Sequence, residues 1–281
     1  LVLAGPGSGK TRVLTRRIAY LVQERGVPPA AIMAVTFTNK AAGEMRSRAE
    51  SLLTNPLRGI YLGTFHAVCA RILRREGEST PFGRDYVIYD TDDQQAVVTQ
   101  AMGELNIDTK KWNPRRVRGK ISDHKNELIG PSQVKAFDYF EEVVARVYPR
   151  YQAILLDNNA LDFDDLLMQM VILLQEDPDI AYKYQHNFEH VLVDEWQDTN
   201  TAQYELVRLL AAPKRNVFVV GDEDQSIYAF RGADYRNIMR FREHYPDAKV
   251  VLLEQNYRSP QTVLDAARAV IDRNADRTPK K

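Results

Sequence analysis

Leu1-Val2-Leu3-Ala4-Gly5-Pro6-Gly7-Ser8-Gly9-Lys10-Thr11 opens the chain: an apolar run, a glycine-rich loop, then Lys-Thr at the head of a stretch with helical periodicity in Val13, Leu14, Arg17, Ile18, Leu21 and Val22. A strand that passes through such a loop into a helix is the context a phosphate loop requires. Gly5, Gly7 and Gly9 let backbone N–H groups wrap phosphate oxygens, and the helix N-terminus adds positive potential. Lys10 can reach β- and γ-phosphates, and Thr11 can ligate magnesium. Ala4 stands where the strict pattern has glycine, on the strand side of the loop. The candidate nucleotide-binding residues here are Ala4, Gly5, Pro6, Gly7, Ser8, Gly9, Lys10, Thr11 and Arg12, with a nucleotide and Mg2+ as the expected ligands.

Outward from this loop the chain alternates strand and helix signals at both ends. Short apolar runs at residues 1–4, 32–36 and 60–62, and again at 191–193, 217–220 and 249–253, are each followed by a helix-like stretch. That alternation predicts an α/β fold, a parallel sheet flanked by helices. Between residues 81 and 177 the strand signal fades. Amphipathic helical patterns take over there, for example Val134, Phe137, Tyr139, Phe140, Val143, Val144 and Val147, and predict a helical insertion. The expected boundaries are 1–80 and 179–250 for a nucleotide-binding domain, 81–178 for the insertion, and 251–281 for the start of a second α/β domain. The Pro- and Lys-bearing C-terminus reads as a frayed end.

Composition bounds the function classes. With 281 residues, 44% of them hydrophobic, the chain can bury a substantial core as one large domain or two small ones. One cysteine, Cys69, excludes an internal disulfide framework and a cysteine-based zinc site. No apolar run is long enough to cross a bilayer and no leader pattern stands at Leu1, so a cytoplasmic location is expected. The 38 Lys and Arg balance 38 Asp and Glu, but about a dozen cations face only Glu24, Glu44 and Glu50 before residue 76. That basic quarter reads either as a phosphate-binding face or as solvated helix surface.

Val191-Leu192-Val193-Asp194-Glu195 supplies the acids that a nucleotide site needs. A buried strand ending in Asp194 places one carboxylate near magnesium, and Glu195 can polarise the attacking water, which favours hydrolysis over transfer to a substrate. A third constellation, residues 221–231, again follows an apolar strand. Gln225 can hydrogen-bond a γ-phosphate or water, while Tyr228, Phe230 and Arg231 offer planes on which bases can stack, although aromatic residues at such spacing are more often core.

Taken in order, these stretches resemble the superfamily 1 helicases of the UvrD, Rep and PcrA type, over nearly the whole chain. Residues 32–42 (IMAVTFTNKAA) resemble that family's first DNA-contacting motif and Gly63-Thr64-Phe65-His66 the next. Leu161-Asp162-Phe163-Asp164-Asp165-Leu166, Asp194-Glu195-Trp196-Gln197-Asp198-Thr199-Asn200, residues 221–232 and Gln255-Asn256-Tyr257-Arg258-Ser259 continue the series. The resemblance implies a RecA-like P-loop fold and a magnesium- and ATP-dependent motor moving 3′ to 5′ on single-stranded DNA. It assigns Glu195 as catalytic base, Gln225 as γ-phosphate sensor, Lys10 and Arg258 as phosphate contacts, and Tyr257 as the adenine-packing residue. Thr11 and Asp194 become the metal ligands. DNA contacts fall on Thr36, Phe37, Asn39, Thr64, His66, Tyr228, Phe230 and Arg231, with single-stranded DNA and its junctions with duplex as partners.

The sequence departs from the family in two aromatic positions: Phe230 stands where tryptophan is frequent, and Trp196 where a smaller aromatic is usual. By the same resemblance the upstream adenine-reading glutamine motif and most of the second motor domain lie outside this stretch. The expectation is an N-terminal part that is monomeric and turns over ATP poorly alone. The rival readings are a helicase subunit of an AddA/RecB-type helicase-nuclease and a non-catalytic module using ATP as a switch. The cationic stretch 110–120, built around Trp112, reads either as a DNA contact or as a solvated helix end.

Overall fold

The computed structural model describes residues 1–225 and 236–271. In chain order its elements are β1 (Val2–Ala4), α1 (Lys10–Gln23), β2 (Ile32–Thr36), α2 (Asn39–Glu50), β3 (Tyr61–Thr64), α3 (Phe65–Arg75), β4 (Val87–Tyr89), α4 (Thr91–Glu104), α5 (Pro114–Asn126) and α6 (Tyr139–Asp157). They continue with β5 (Ala160–Asp162), α7 (Phe163–Glu176), α8 (Pro178–Asn187), β6 (His190–Val193), α9 (Thr201–Ala211), β7 (Val217–Gly221), α10 (Asn237–His244), β8 (Val251–Leu253) and α11 (Gln261–Ile271). The described residues form two compact units, one from 1–68, 183–199, 210–225 and 236–271, the other from 69–182 and 200–209.

The first unit is built on a six-stranded sheet in the order β3-β2-β6-β7-β1-β8, and every pairing in it is parallel. The expected α/β architecture is the observed one. β1 and β2 are buried at every position, because a central parallel strand is covered on both faces and has no room for a polar side. On one face Leu14, Ile18 and Leu21 of α1 and Met45 and Ala49 of α2 pack on Val2, Ala4, Ile32, Ala34, Leu192 and Val220. The strand period of two sends Leu3, Met33 and Val35 to the opposite face, where they too are fully buried. Further aromatic packing comes from Trp196 against Phe241 and Tyr61 against Phe188.

Two boundaries differ from expectation. Val251–Leu253 does not begin a second sheet: it pairs in parallel with β1 and forms the edge of the first. An apolar run at a strand's usual length carries no information about which neighbour it will choose. The second unit also extends beyond residues 81–178, to 69–182 with 200–209, because α3, α8 and α9 are continuous helices whose sequences give no break at the junction.

The second unit is mainly helical, with β4 and β5 as a short parallel pair that the fading strand signal concealed. Its core gathers Val97, Val98 and Met102 of α4, Val117 and Ile121 of α5, and Val143, Val144, Val147, Tyr148 and Tyr151 of α6. The amphipathic pattern expected from Val134 onward becomes helix only at Tyr139, because Asp138 caps it by accepting from the Glu141 N–H at 2.8 Å. Phe137 and Tyr139, read as part of the apolar stripe, are instead 85% and 79% exposed. Among the described residues no helix is long and apolar enough to cross a membrane.

One buried charge cluster ties α5, α6 and α7 together. Lys125 Nζ lies 2.6 Å from Asp162 Oδ2 and 2.8 Å from Asp165 Oδ1, with all three side chains out of solvent. Tyr151 Oη donates to the same Asp162 oxygen at 2.8 Å. Asp162 and Asp165 also close a reciprocal capping box at the start of α7. One ammonium serves two carboxylates. Burial disfavours the Asp162 charge, but Lys125 and the hydrogen bonds outweigh it and hold that carboxyl below its usual range. Burial and then the Asp162 charge push Asp165 up to about 7 and Asp164 up to about 6.

An acid whose folded pKa exceeds its unfolded value stabilises the fold at low pH and loses that contribution as pH rises from the unfolded to the folded value, so unfolding free energy of this unit should fall between about pH 4 and about pH 7. Substituting Lys125→Met leaves the carboxylates without a counter-charge and should cost about 3–5 kcal/mol at neutral pH, read from urea denaturation followed by circular dichroism.

Candidate functional site

The loop after β1 is held by its own geometry. Gly7 and Gly9 adopt φ of 70° and 96°, a region that side-chain-bearing residues rarely enter. Gly9 is the N-cap of α1, so Lys10 and Thr11 form its first turn. Ser8 is buried and its hydroxyl donates to Gly5 O at 2.7 Å. Ala4 is buried in the strand end, Pro6 and Arg12 are exposed, and Gly5 is half-buried. A short apolar strand forces the chain into the sheet, and the glycines let it turn at once into the helix with its first N–H groups uncommitted.

β6 delivers the acids to the same place. Asp194 is buried directly past the strand, and its Oδ2 accepts from Thr11 Oγ1 at 3.5 Å. Glu195 takes a left-handed backbone, φ 50° and ψ 49°, an uncommon state for a residue with a side chain and one that concentrates at functional sites. Its Oε2 lies 3.6 Å from Lys10 Nζ, with side-chain exposures of 34% and 10%. Burial, then the neighbouring Glu195 charge, pushes Asp194 up to about 6, and the same causes raise Asp198 to about 6. Thr11 Oγ1 and Asp194 Oδ2 are hard oxygen donors near enough to one another that both could serve one small dication. Among the described residues no group of three or more His, Cys, Asp or Glu gathers to hold a metal.

β7 joins the cluster through Gln197, a residue to which the sequence assigned no role. Gln197 Nε2 donates to Glu195 Oε2 at 2.9 Å, while its Oε1 accepts from the buried Asp222 N–H at 2.9 Å. Asp222 Oδ2 in turn accepts from Gln225 Nε2. A Cβ at Gly221 would meet Gln197 Oε1 at 2.9 Å, so glycine there is what lets the amide lie flat against the strand end. The expected base and the expected sensor, Glu195 and Gln225, are thus linked by one amide and one carboxylate.

The segment after β8 reaches the loop from the other side. Tyr257 N–H donates to Gly7 O at 3.0 Å, Asn256 Nδ2 donates to Pro6 O, and a Cβ on Gly7 would meet Arg258 Cβ at 2.6 Å. Tyr257 is 75% exposed and Arg258 is exposed. Asn256 is a second residue that sequence reasoning passed over. Its only signal was an Asn two places before Arg258 in a polar stretch, the pattern of a side-chain-closed turn.

A separate row forms where β2 and β3 end. Thr36 and Thr64 are register partners, the first buried and the second half-buried. Phe37 packs edge-on to Phe65 with ring centroids 5.9 Å apart, and Asn39 is exposed in the first turn of α2, capped by Thr38. His66 is half-buried in the first turn of α3. Thr64 Oγ1 accepts from Ala67 N–H at 3.1 Å, so its hydroxyl caps that helix as well as edging the row. Tyr228, Phe230 and Arg231 lie outside the described residues. In the cationic stretch Trp112 packs on Phe140 of the helical core, with Lys111 over its ring at 5.4 Å.

Residues 1–246 match the family model described as UvrD/REP helicase N-terminal domain. The chain is 51% identical to the ATP-dependent DNA helicase PcrA of Leuconostoc citreum, an alignment covering 100% of this chain and 38% of that protein. It is 50% identical to the PcrA helicases of Staphylococcus aureus and Staphylococcus epidermidis, over 100% of this chain and 39% of each. The chain therefore spans less than half the length of the curated relatives it matches.

Replacing Gln197→Leu strips Asp222 N–H of its buried acceptor and Glu195 of its donor, and should destabilise the first unit by about 1–3 kcal/mol in urea denaturation.

Proposed function

The chain belongs to the UvrD/Rep helicase N-terminal domain family, and on that premise we propose that it is the ATP- and DNA-binding part of an ATP-dependent helicase that moves 3′ to 5′ on single-stranded DNA. The observation that carries this reading is the convergence of Lys10, Thr11, Asp194 and Glu195, joined through Gln197 to Asp222 and Gln225. In family terms, the unit with the six-stranded sheet is the first motor domain and the mainly helical unit its insertion, with the segment after edge strand β8 leading toward a second motor domain.

In the proposed reaction the loop from Ala4 to Thr11 wraps the phosphates, with Arg12 beside them, and Lys10 leaves Glu195 to meet the β- and γ-phosphates. Glu195 orients a water and accepts its proton as the water oxygen bonds to the terminal phosphorus and the bond to the ADP oxygen breaks. Gln225 senses the terminal phosphate, Arg258 reaches the same group, and Tyr257 packs on adenine. Thr11 and Asp194 would hold Mg2+, which supplies neutralisation of phosphate charge. Thr36, Phe37, Asn39, Thr64 and His66 form the proposed DNA track, to which the resemblance adds Tyr228, Phe230 and Arg231. The protein works on junctions of single-stranded and duplex DNA in the cytoplasm. An AddA/RecB-type role is not favoured, since the relatives named above, about half identical over the whole chain, are PcrA helicases.

These 281 residues alone should hydrolyse ATP slowly, because the resemblance places a transition-state arginine in a second motor domain, and such a group can supply about 10³–10⁵ in rate. Steady-state phosphate release from Mg-ATP, with and without single-stranded DNA, tests the assignment. In the full-length protein, Glu195→Gln should keep nucleotide binding but lower turnover roughly 100-fold or more. Phe37→Ala should blunt the DNA stimulation and leave the DNA-free rate unchanged. Equal turnover in wild type and Glu195→Gln would remove Glu195 from the role of base.

A further inference from the structure

We propose that Asn256 is a positioning residue for the nucleotide: its side chain locks the phosphate loop to the Tyr257-Arg258 segment and sets both in one register. This deepens the nucleotide-binding reading above and rests on it.

Both ends of the Asn256 amide are used. Oδ1 accepts from Arg258 N–H at 2.7 Å and from Ser259 N–H at 2.9 Å, closing a tight turn around Tyr257. Nδ2 donates across to Pro6 O in the phosphate loop. The next backbone N–H, from Tyr257, donates to the next loop carbonyl, Gly7 O, at 3.0 Å. Two consecutive carbonyls of the loop are therefore held by two consecutive residues of a segment 250 positions away in sequence.

The orientation of those carbonyls decides what the loop offers a ligand. In a trans peptide the C=O and the following N–H point in opposite directions, and among the described residues no peptide bond is cis. Holding Pro6 O toward Asn256 thus turns Gly7 N–H away from it. Gly7 is the residue whose missing side chain lets Arg258 approach, since a Cβ there would lie 2.6 Å from Arg258 Cβ and 3.0 Å from the Asn256 amide atoms. The close approach and the paired hydrogen bonds are separate observations with one consequence. Arg258 and Tyr257 are carried by the phosphate loop itself, so they are in place before any second domain closes.

The test compares Asn256→Ala and Asn256→Asp in the full-length protein, with Lys10→Ala as a control. Asp keeps the acceptor for Arg258 and Ser259 but faces Pro6 O with an oxygen in place of a donor. Affinity for a fluorescent ATP analogue is measured beside affinity for a single-stranded oligonucleotide and the thermal midpoint. Asn256→Asp, which loses one hydrogen bond, should bind nucleotide roughly three- to tenfold more weakly with DNA affinity and midpoint unchanged, and Asn256→Ala, which loses all three, should weaken nucleotide binding at least as much. Wild-type affinity in Asn256→Asp overturns the proposal, and so does a parallel fall of nucleotide affinity, DNA affinity and midpoint, which marks a structural role. Wild type that binds no nucleotide, or binds it as Lys10→Ala does, overturns the nucleotide reading itself.

Discussion

The strands of the larger sheet all run one way, and every candidate group depends on that constraint. Parallel pairing needs a crossover between neighbours, so adjacent strands come from distant sequence and their carboxyl ends share one edge. The loops after β1, β6, β7 and β8 arrive there together, which is how Thr11 comes to face Asp194 across 183 positions of chain. β1 lies between β7 and β8, so the glycine-rich loop that leaves it is flanked by the ends of both.

The parts of this arrangement that could be read in sequence share a physical trait. A strand covered on both faces has no polar alternation to blur it, so Val2–Ala4, Ile32–Thr36 and His190–Val193 stand out as apolar runs. Their polar exits then stand out by contrast, and Lys10, Asp194 and Glu195 lie at those exits. What escaped was information held between elements. Nothing in Val251–Leu253 says that its partner is β1, since any parallel neighbour would accept those side chains. Gln197 and Asn256 act through amides that bind backbone atoms, and an amide leaves no periodic trace.

The stretch Leu161-Asp162-Phe163-Asp164-Asp165-Leu166 makes the same point from the other direction. It reads as one more stretch in the family's series, yet Asp162 and Asp165 are buried around Lys125. Replacing such a cluster whole by apolar residues is often neutral or stabilising, while breaking it is costly, so its presence says more about specificity than about stability. With Tyr151 and Lys125 both committed to Asp162 Oδ2, α5 and α6 have one rotation that satisfies the cluster at the head of α7. Asn126, one residue after Lys125, donates to the Ser122 carbonyl and accepts from Asn200 Nδ2 at 2.6 Å. The rotation that buries Lys125 therefore also presents Asn126 to Asn200, the last residue of the acidic motif.

At the other end of that motif, Glu195 poses an electrostatic problem that Gln197 resolves. The same oxygen, Glu195 Oε2, faces both Lys10 Nζ at 3.6 Å and Gln197 Nε2 at 2.9 Å. In the proposed reaction a phosphate entering the loop would draw Lys10 to itself, because an ammonium prefers a multiply charged anion to one carboxylate. Glu195, in its proposed role as base, would then lose its cation when that role begins, and an unconstrained side chain would swing toward solvent. The Gln197 amide carries no net charge, so the incoming phosphate has little pull on it, and Asp222 N–H fixes its far end. The carboxylate is held in direction without being neutralised. A lysine or arginine at this position would add a second cation beside Glu195, whereas the Gln197 amide holds the same oxygen with no net charge of its own.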